Sequence, residues 1–159
     1  MMPLKILAMA AISDRIGLVY LVGGRLKDWT TSENAAASPV AAAGYTQEMI
    51  NFYRPNVVVT EKLDDECLKG KSTQHLIRAM ARTADQNYVL DVSIEHKHPY
   101  PSKYEEAEAL AKAYPAIAAW LPKKRRFFDN QPRNIVLFEA LSLGHSIAHG
   151  PADRLAAAM

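Results

Sequence analysis

The sequence predicts an α/β protein, a mixed sheet with helices on both faces, and three observations carry that expectation. Residues 4–31 hold three short apolar or alternating runs separated by Ser13-Asp14-Arg15 and by Gly23-Gly24, which are turn signals between antiparallel strands. Val57-Val58-Val59, bounded by Pro55 and by the charged pair Glu61-Lys62, is a continuous β-branched run of the kind found in strands buried on both faces. From Pro39 onward, segments of helical periodicity alternate with strand-like ones, the pattern of an α/β sheet.

Taken in order, Leu4–Ile12, Gly17–Val22 and Arg25–Thr31 form a three-stranded antiparallel meander turning at Ser-Asp-Arg and at Gly-Gly. After the loop Ser32–Ser38, Ser38-Pro39 caps and starts a helix, with Tyr45, Met49 and Phe52, and Ile50 and Tyr53 beside them, as its core-facing positions, and Arg54-Pro55 stops it. The valine strand ends at Glu61. A mixed-charge loop leads to Ser72, which caps a helix through Leu76, Ile77, Met80 and Ala84 to about Asp85, with His75, Arg78 and Arg82 outside. Asn87–Ile94 is the next strand. Ser102 caps a helix over Tyr104–Tyr114, and Pro115 opens a short turn to Trp120. Lys123–Pro132 is a basic and aromatic loop, and a last helix runs from about Arg133 to the Gly150-Pro151 stop. Residues 1–150 are expected to form one domain and 151–159 a flexible tail.

Composition narrows the functional classes. A net charge of +2 leaves nucleic-acid binding to local clusters of Lys and Arg. One cysteine, Cys67, excludes an internal disulfide and a zinc knuckle, and points to a reducing, cytoplasmic setting. His145 and His149 have the spacing of a zinc helix without its intervening Glu, and read as polar residues at a helix end. No apolar window approaches the roughly 18 to 20 residues of a membrane span, so no membrane partner is expected.

Two carboxylates stand out. Glu61 ends a buried strand, and in open α/β sheets ligands bind beyond the carboxyl ends of the strands. Glu139 lies on an otherwise apolar helix, where a buried acid is expensive unless it is paired or used. Ahead of that helix, Lys123-Lys124-Arg125-Arg126 beside Phe127-Phe128, with Arg133 following, can contact phosphates and stack on unpaired bases; Lys62 adds a cation beside Glu61.

Three segments taken together resemble the ribonuclease H-like superfamily, and within it the RuvC-type Holliday junction resolvases: Ile6–Gly17 as first strand and turn, Arg54–Lys62 as fourth strand, and Pro132–Gly144 as last helix. The last of these contains Phe138-Glu139-Ala140-Leu141-Ser142-Leu143, similar to the family's acidic Asp-Ala-Leu-Ala helix. The resemblance implies a ribonuclease H-like mixed five-stranded sheet, a metal-dependent endonuclease lineage, branched DNA as partner, and a homodimer. It implies Glu61 and Glu139 as ligands of two Mg²⁺ or Mn²⁺ ions, which would activate water and stabilise the leaving oxygen of a phosphodiester. The family's first-strand Asp falls on Ala10. Asp14 is the nearest substitute, displaced by about 13 Å at roughly 3.3 Å per extended residue, and Asp91 is another acid that could fill the gap. A centre lacking its bridging acid predicts weak or absent catalysis. The alternative is a non-catalytic protein–protein or regulatory module on the same fold.

Overall fold

The computed structural model describes residues 3–63, 69–95, 102–122 and 134–149. Five strands, β1 (Lys5–Ile12), β2 (Arg15–Val22), β3 (Arg25–Ser32), β4 (Val57–Glu61) and β5 (Leu90–Ile94), form one sheet in the order β3-β2-β1-β4-β5. β1 and β3 pair antiparallel with β2, while β4 is parallel to both β1 and β5. This is the expected ribonuclease H-like sheet, a meander joined to two parallel strands. Gly23 and Gly24 both have positive φ (59° and 78°), the geometry in which a two-residue turn matches the twist of the strands it joins.

Among the described residues four α-helices cover the sheet: α1 (Pro39–Tyr53), α2 (Lys71–Asp85), α3 (Lys103–Ala113) and α4 (Ile135–Ala148). β1 is buried on both sides and divides two cores. Leu7, Met9 and Ala11 face α1 and α2; Ile6, Ala8 and Ala10 face α3 and α4. No helix among the described residues is long and apolar enough to cross a membrane.

α4 lies unusually close to the sheet because small residues meet it. A Cβ on Gly17 would fall 2.9 Å from Val136 Cγ1 and 3.0 Å from the Val136 backbone. A Cβ on Gly144 would fall 2.7 Å from Leu21 Cδ1 and 3.2 Å from Ala8 Cβ. These two contacts fix the helix over β1 and β2 and so fix the height of Glu139.

Two of the three expected serine caps form. Ser38 Oγ accepts the Ala41 N–H (3.0 Å), and Ser102 Oγ accepts the Glu105 N–H (3.2 Å). Three details differ. α2 is capped by Gly70 and Ser72 lies inside it; the cap has no side-chain hydrogen bond, so an extended glycine backbone is enough to start the helix. β5 begins at Leu90, because Asn87 still belongs to the end of α2: its N–H donates to the Ala84 carbonyl and its amide to the Thr83 carbonyl. Phe52 is 72% exposed, since the buried stripe of α1 is Ala42, Thr46 and Ile50, and Phe52 is turned about 200° from Ile50 at 100° per residue.

Where α4 ends, Tyr114 Oη lies 2.7 Å from His145 Nδ1, and His149 Nε2 lies 3.1 Å from the Gly24 carbonyl oxygen. Burial first, and then the nearby His149, lower the pKa of His145. The unfolded chain therefore binds a proton more readily than the folded one, and this contribution to stability is complete above the ordinary histidine range and lost as pH falls through it. Thermal melts from about pH 7.5 to about pH 5.5 should show His145→Gln losing less stability on acidification than the parent. Equal losses in the two proteins would remove His145 as the titrating group.

Candidate functional site

Glu61 is the last residue of β4 and pairs in register with Ile94 of β5, so its side chain leaves the sheet on the α4 face, as Val57 and Val59 do. The β1–β4 register runs Ile6↔Val57, Leu7↔Val58, Ala8↔Val59, and its continuation brings Ala10 level with Glu61. Ala10 in turn pairs with Gly17. Across β2, β1 and β4 this level therefore carries a bare backbone, a methyl group and a carboxylate, under the helix that supplies Glu139.

Glu139 is buried, with only 3% of its surface exposed. The group that brings it together with Glu61 is Lys69. Lys69 Nζ lies 3.4 Å from Glu61 Oε2 and 3.4 Å from Glu139 Oε1, and donates a hydrogen bond to the Ala11 carbonyl oxygen at 2.8 Å. One ammonium thus touches β1, β4 and α4. Lys69 is placed by its position just ahead of the α2 cap, where its own carbonyl accepts a hydrogen bond from Gln74 Nε2 (2.7 Å). A second ammonium, Lys103 Nζ at the start of α3, lies 3.7 Å from Glu139 Oε1. The other oxygen, Glu139 Oε2, is buried with no hydrogen-bond partner among the described residues.

The structure joins Glu61 to Glu139 and does not bring in Asp14 as a third acid. Asp14 is in the exposed β1–β2 turn, because β1 stays extended to Ile12 and the chain does not fold back. Asp91 pairs in register with Val58, whose side chain packs toward α1 and α2, so it faces away from α4. Burial, with Asp85 adding to it, raises the Asp91 pKa. Lys62 is exposed, and its N–H donates to the Ile94 carbonyl (2.7 Å). Lys123, Lys124, Arg125, Arg126 and Arg133 lie outside the described residues. Sequence reasoning counts Lys69 only as one of several basic residues after the valine strand and misses Lys103; each stands beside the cap of a helix, Gly70 or Ser102.

No protein-family model matches the chain, and no curated protein matches it by sequence. Solved structures do match. The Thermus thermophilus RuvC structure superposes with a TM-score of 0.61 at 14% identity, over 92% of this chain and 97% of that one. Fowlpox virus resolvase, in its complex with substrate Holliday junction DNA, gives 0.62 at 11% identity, again over 92% and 97%. The yeast mitochondrial Holliday junction resolvase Ydc2 gives 0.59 at 9% identity, over 91% of this chain and 78% of that one. The fold is that of the RuvC-type resolvases.

On this RuvC-like fold, the two divalent ions that the resemblance implies can be tested against the donors present. A hard divalent ion takes about six oxygen ligands, and two such ions share bridging carboxylates. Glu61 and Glu139 are two acids, the side chain level with Glu61 on β1 is the Ala10 methyl, and no group of three or more His, Cys, Asp or Glu able to hold a metal occurs among the described residues. The position where the two carboxylates converge is taken by an ammonium group. Among the described residues, the donor set does not fit a two-metal centre.

Proposed function

We propose that this chain is a nucleic-acid-binding domain of RuvC type, with branched DNA as its preferred partner, that does not hydrolyse phosphodiesters by a two-metal mechanism. The observation carrying the reading is the near full-length match to a resolvase solved on Holliday junction DNA. What supports the absence of turnover is Ala10, taken as the counterpart of the first-strand acid, and the convergence of only two carboxylates among the described residues. The basic run Lys123–Arg126 precedes the helix that carries Glu139, and supplies the phosphate contacts in this reading. A homodimer would present two such surfaces to the paired arms of a junction.

Fluorescence anisotropy with a labelled four-way junction tests this. Binding should be present at low salt and fall steeply as salt rises. Changing Lys124, Arg125 and Arg126 together to Ala should weaken it by an order of magnitude or more and reduce the log–log salt slope by about 2–3. Absence of binding at low salt would favour the protein–protein module instead. With Mg²⁺ or Mn²⁺ the junction should stay intact. Robust cleavage abolished by Glu61→Gln would defeat the non-catalytic part of the reading.

A further inference from the structure

We infer that Lys69 is a built-in cation that substitutes for a divalent metal ion: its ammonium holds the Glu61–Glu139 crevice closed, makes the wild-type domain indifferent to Mg²⁺ and Mn²⁺, and masks a metal site that its removal, with an acid restored at position 10, would open. The inference concerns the crevice alone and stands whether or not the protein binds DNA.

Three features carry it. The first is position. Lys69 Nζ meets one oxygen from each of three elements that are distant in sequence, the Ala11 carbonyl on β1, Glu61 on β4 and Glu139 on α4. The β1–β4 ladder ends at Ala8↔Val59, and the ammonium spans the two strands beyond that point, under the helix.

The second is charge. Among the described residues two carboxylates meet two ammonium groups, Lys69 and Lys103, so both acids already have cationic partners without any metal. A divalent ion entering between the carboxylates would have to stand against the Lys69 ammonium or expel it, in a place where little solvent screens the repulsion: the side chains of Lys69, Glu61 and Glu139 are 17%, 12% and 4% exposed.

The third is tethering. The lysine is part of the chain and its backbone is held by Gln74, so it takes the position without the translational entropy that a free ion must lose. The Ala10 methyl is consistent with the same arrangement. A carboxylate there would add a third negative charge beside two ammonium groups.

The test is direct measurement of metal binding, followed independently of any cleavage. Electron paramagnetic resonance of Mn²⁺ titrated with the wild-type protein should show no saturable site at millimolar metal, and Mg²⁺ should leave its melting temperature unchanged. The double variant Ala10→Asp, Lys69→Met should acquire a saturable Mn²⁺ site and a melting temperature that rises with Mn²⁺. Adding Glu139→Gln should abolish both gains. A wild-type protein that binds Mn²⁺ stoichiometrically, and loses it with Glu61→Gln or Glu139→Gln, would overturn the inference. So would a folded double variant with no Mn²⁺ binding. If the double variant does not fold, as judged by circular dichroism, the wild-type titration decides.

Discussion

Lys69→Met should destabilise the protein by about 3 kcal/mol, far more than loss of an ordinary surface lysine, because removing one member of a buried charge cluster leaves its carboxylate partners less well compensated. The substitution keeps most of the stem volume and deletes only the charge and its donors. Glu139 would keep Lys103 as a partner through one oxygen, but it and Glu61 would lose the ammonium between them, and the Ala11 carbonyl would lose its donor. For a chain of this size the expected fall in melting temperature is roughly 6–12 °C. The cost should shrink when a negative charge is removed as well. Lys69→Met with Glu139→Leu should be more stable than Lys69→Met alone, since an apolar pair of similar volume can replace a buried ion pair with little loss. Chemical denaturation of the single and double variants measures this coupling. A Lys69→Met protein within about 0.5 kcal/mol of the parent would mean that the cluster is solvated and contributes nothing to the fold.

Gly17→Val is the second large expected effect, and its mechanism is steric. The added Cβ would meet the Val136 side chain and backbone at about 3 Å, and a helix backbone cannot rotate aside as a side chain can. Overpacking of this kind typically costs about 1–3 kcal/mol, and a branched residue against backbone belongs at the upper end. The displacement should also be legible at the site. Glu139 lies about one turn along α4 from Val136, so lifting the helix should pull its carboxylate from Lys69. Gly17→Val should therefore make Lys69 more reactive toward an amine-acylating reagent. A protein of unchanged melting temperature and unchanged Lys69 labelling would show that α4 has room to move.

The sheet was legible in the residues themselves because each strand signal is local. Two glycines that accept positive φ make the β2–β3 turn, and three consecutive valines can only be satisfied by burial on both faces. α4 was legible for the same reason, its apolar residues leaving Glu139 as an acid that had to be explained. Glu61 and Glu139 could thus be nominated one at a time. What joins them could not. Lys69 stands in a loop with charges of both signs, where a solvated lysine is the ordinary expectation, and its importance arises only when β1, β4 and α4 converge on the space its stem can reach. Phe52 shows the converse: helical spacing from Tyr45 and Met49 nominated it for the core, but the stripe that α1 buries is set by Ala42, Thr46 and Ile50, small and branched residues that allow closer packing. Asp14 and Asp91 are acids of the right type, one carried into a turn by the length of β1 and the other turned to the opposite layer by strand alternation.

The two outer strands of the sheet also bear on strand addition between copies of this molecule. An unpaired strand edge is a template on which another chain can add. β3 carries Arg25, Lys27 and Asp28 along its length, and its ladder with β2 is interrupted by a register shift at Tyr20/Leu21. At the other edge β5 is five residues long and turns Asp91 inward, toward the α1 and α2 layer. Charge, irregular pairing, shortness and an inward acid are each devices that discourage strand addition. Among the described residues both margins of the sheet therefore carry features that disfavour the open-ended aggregation to which exposed strands are prone.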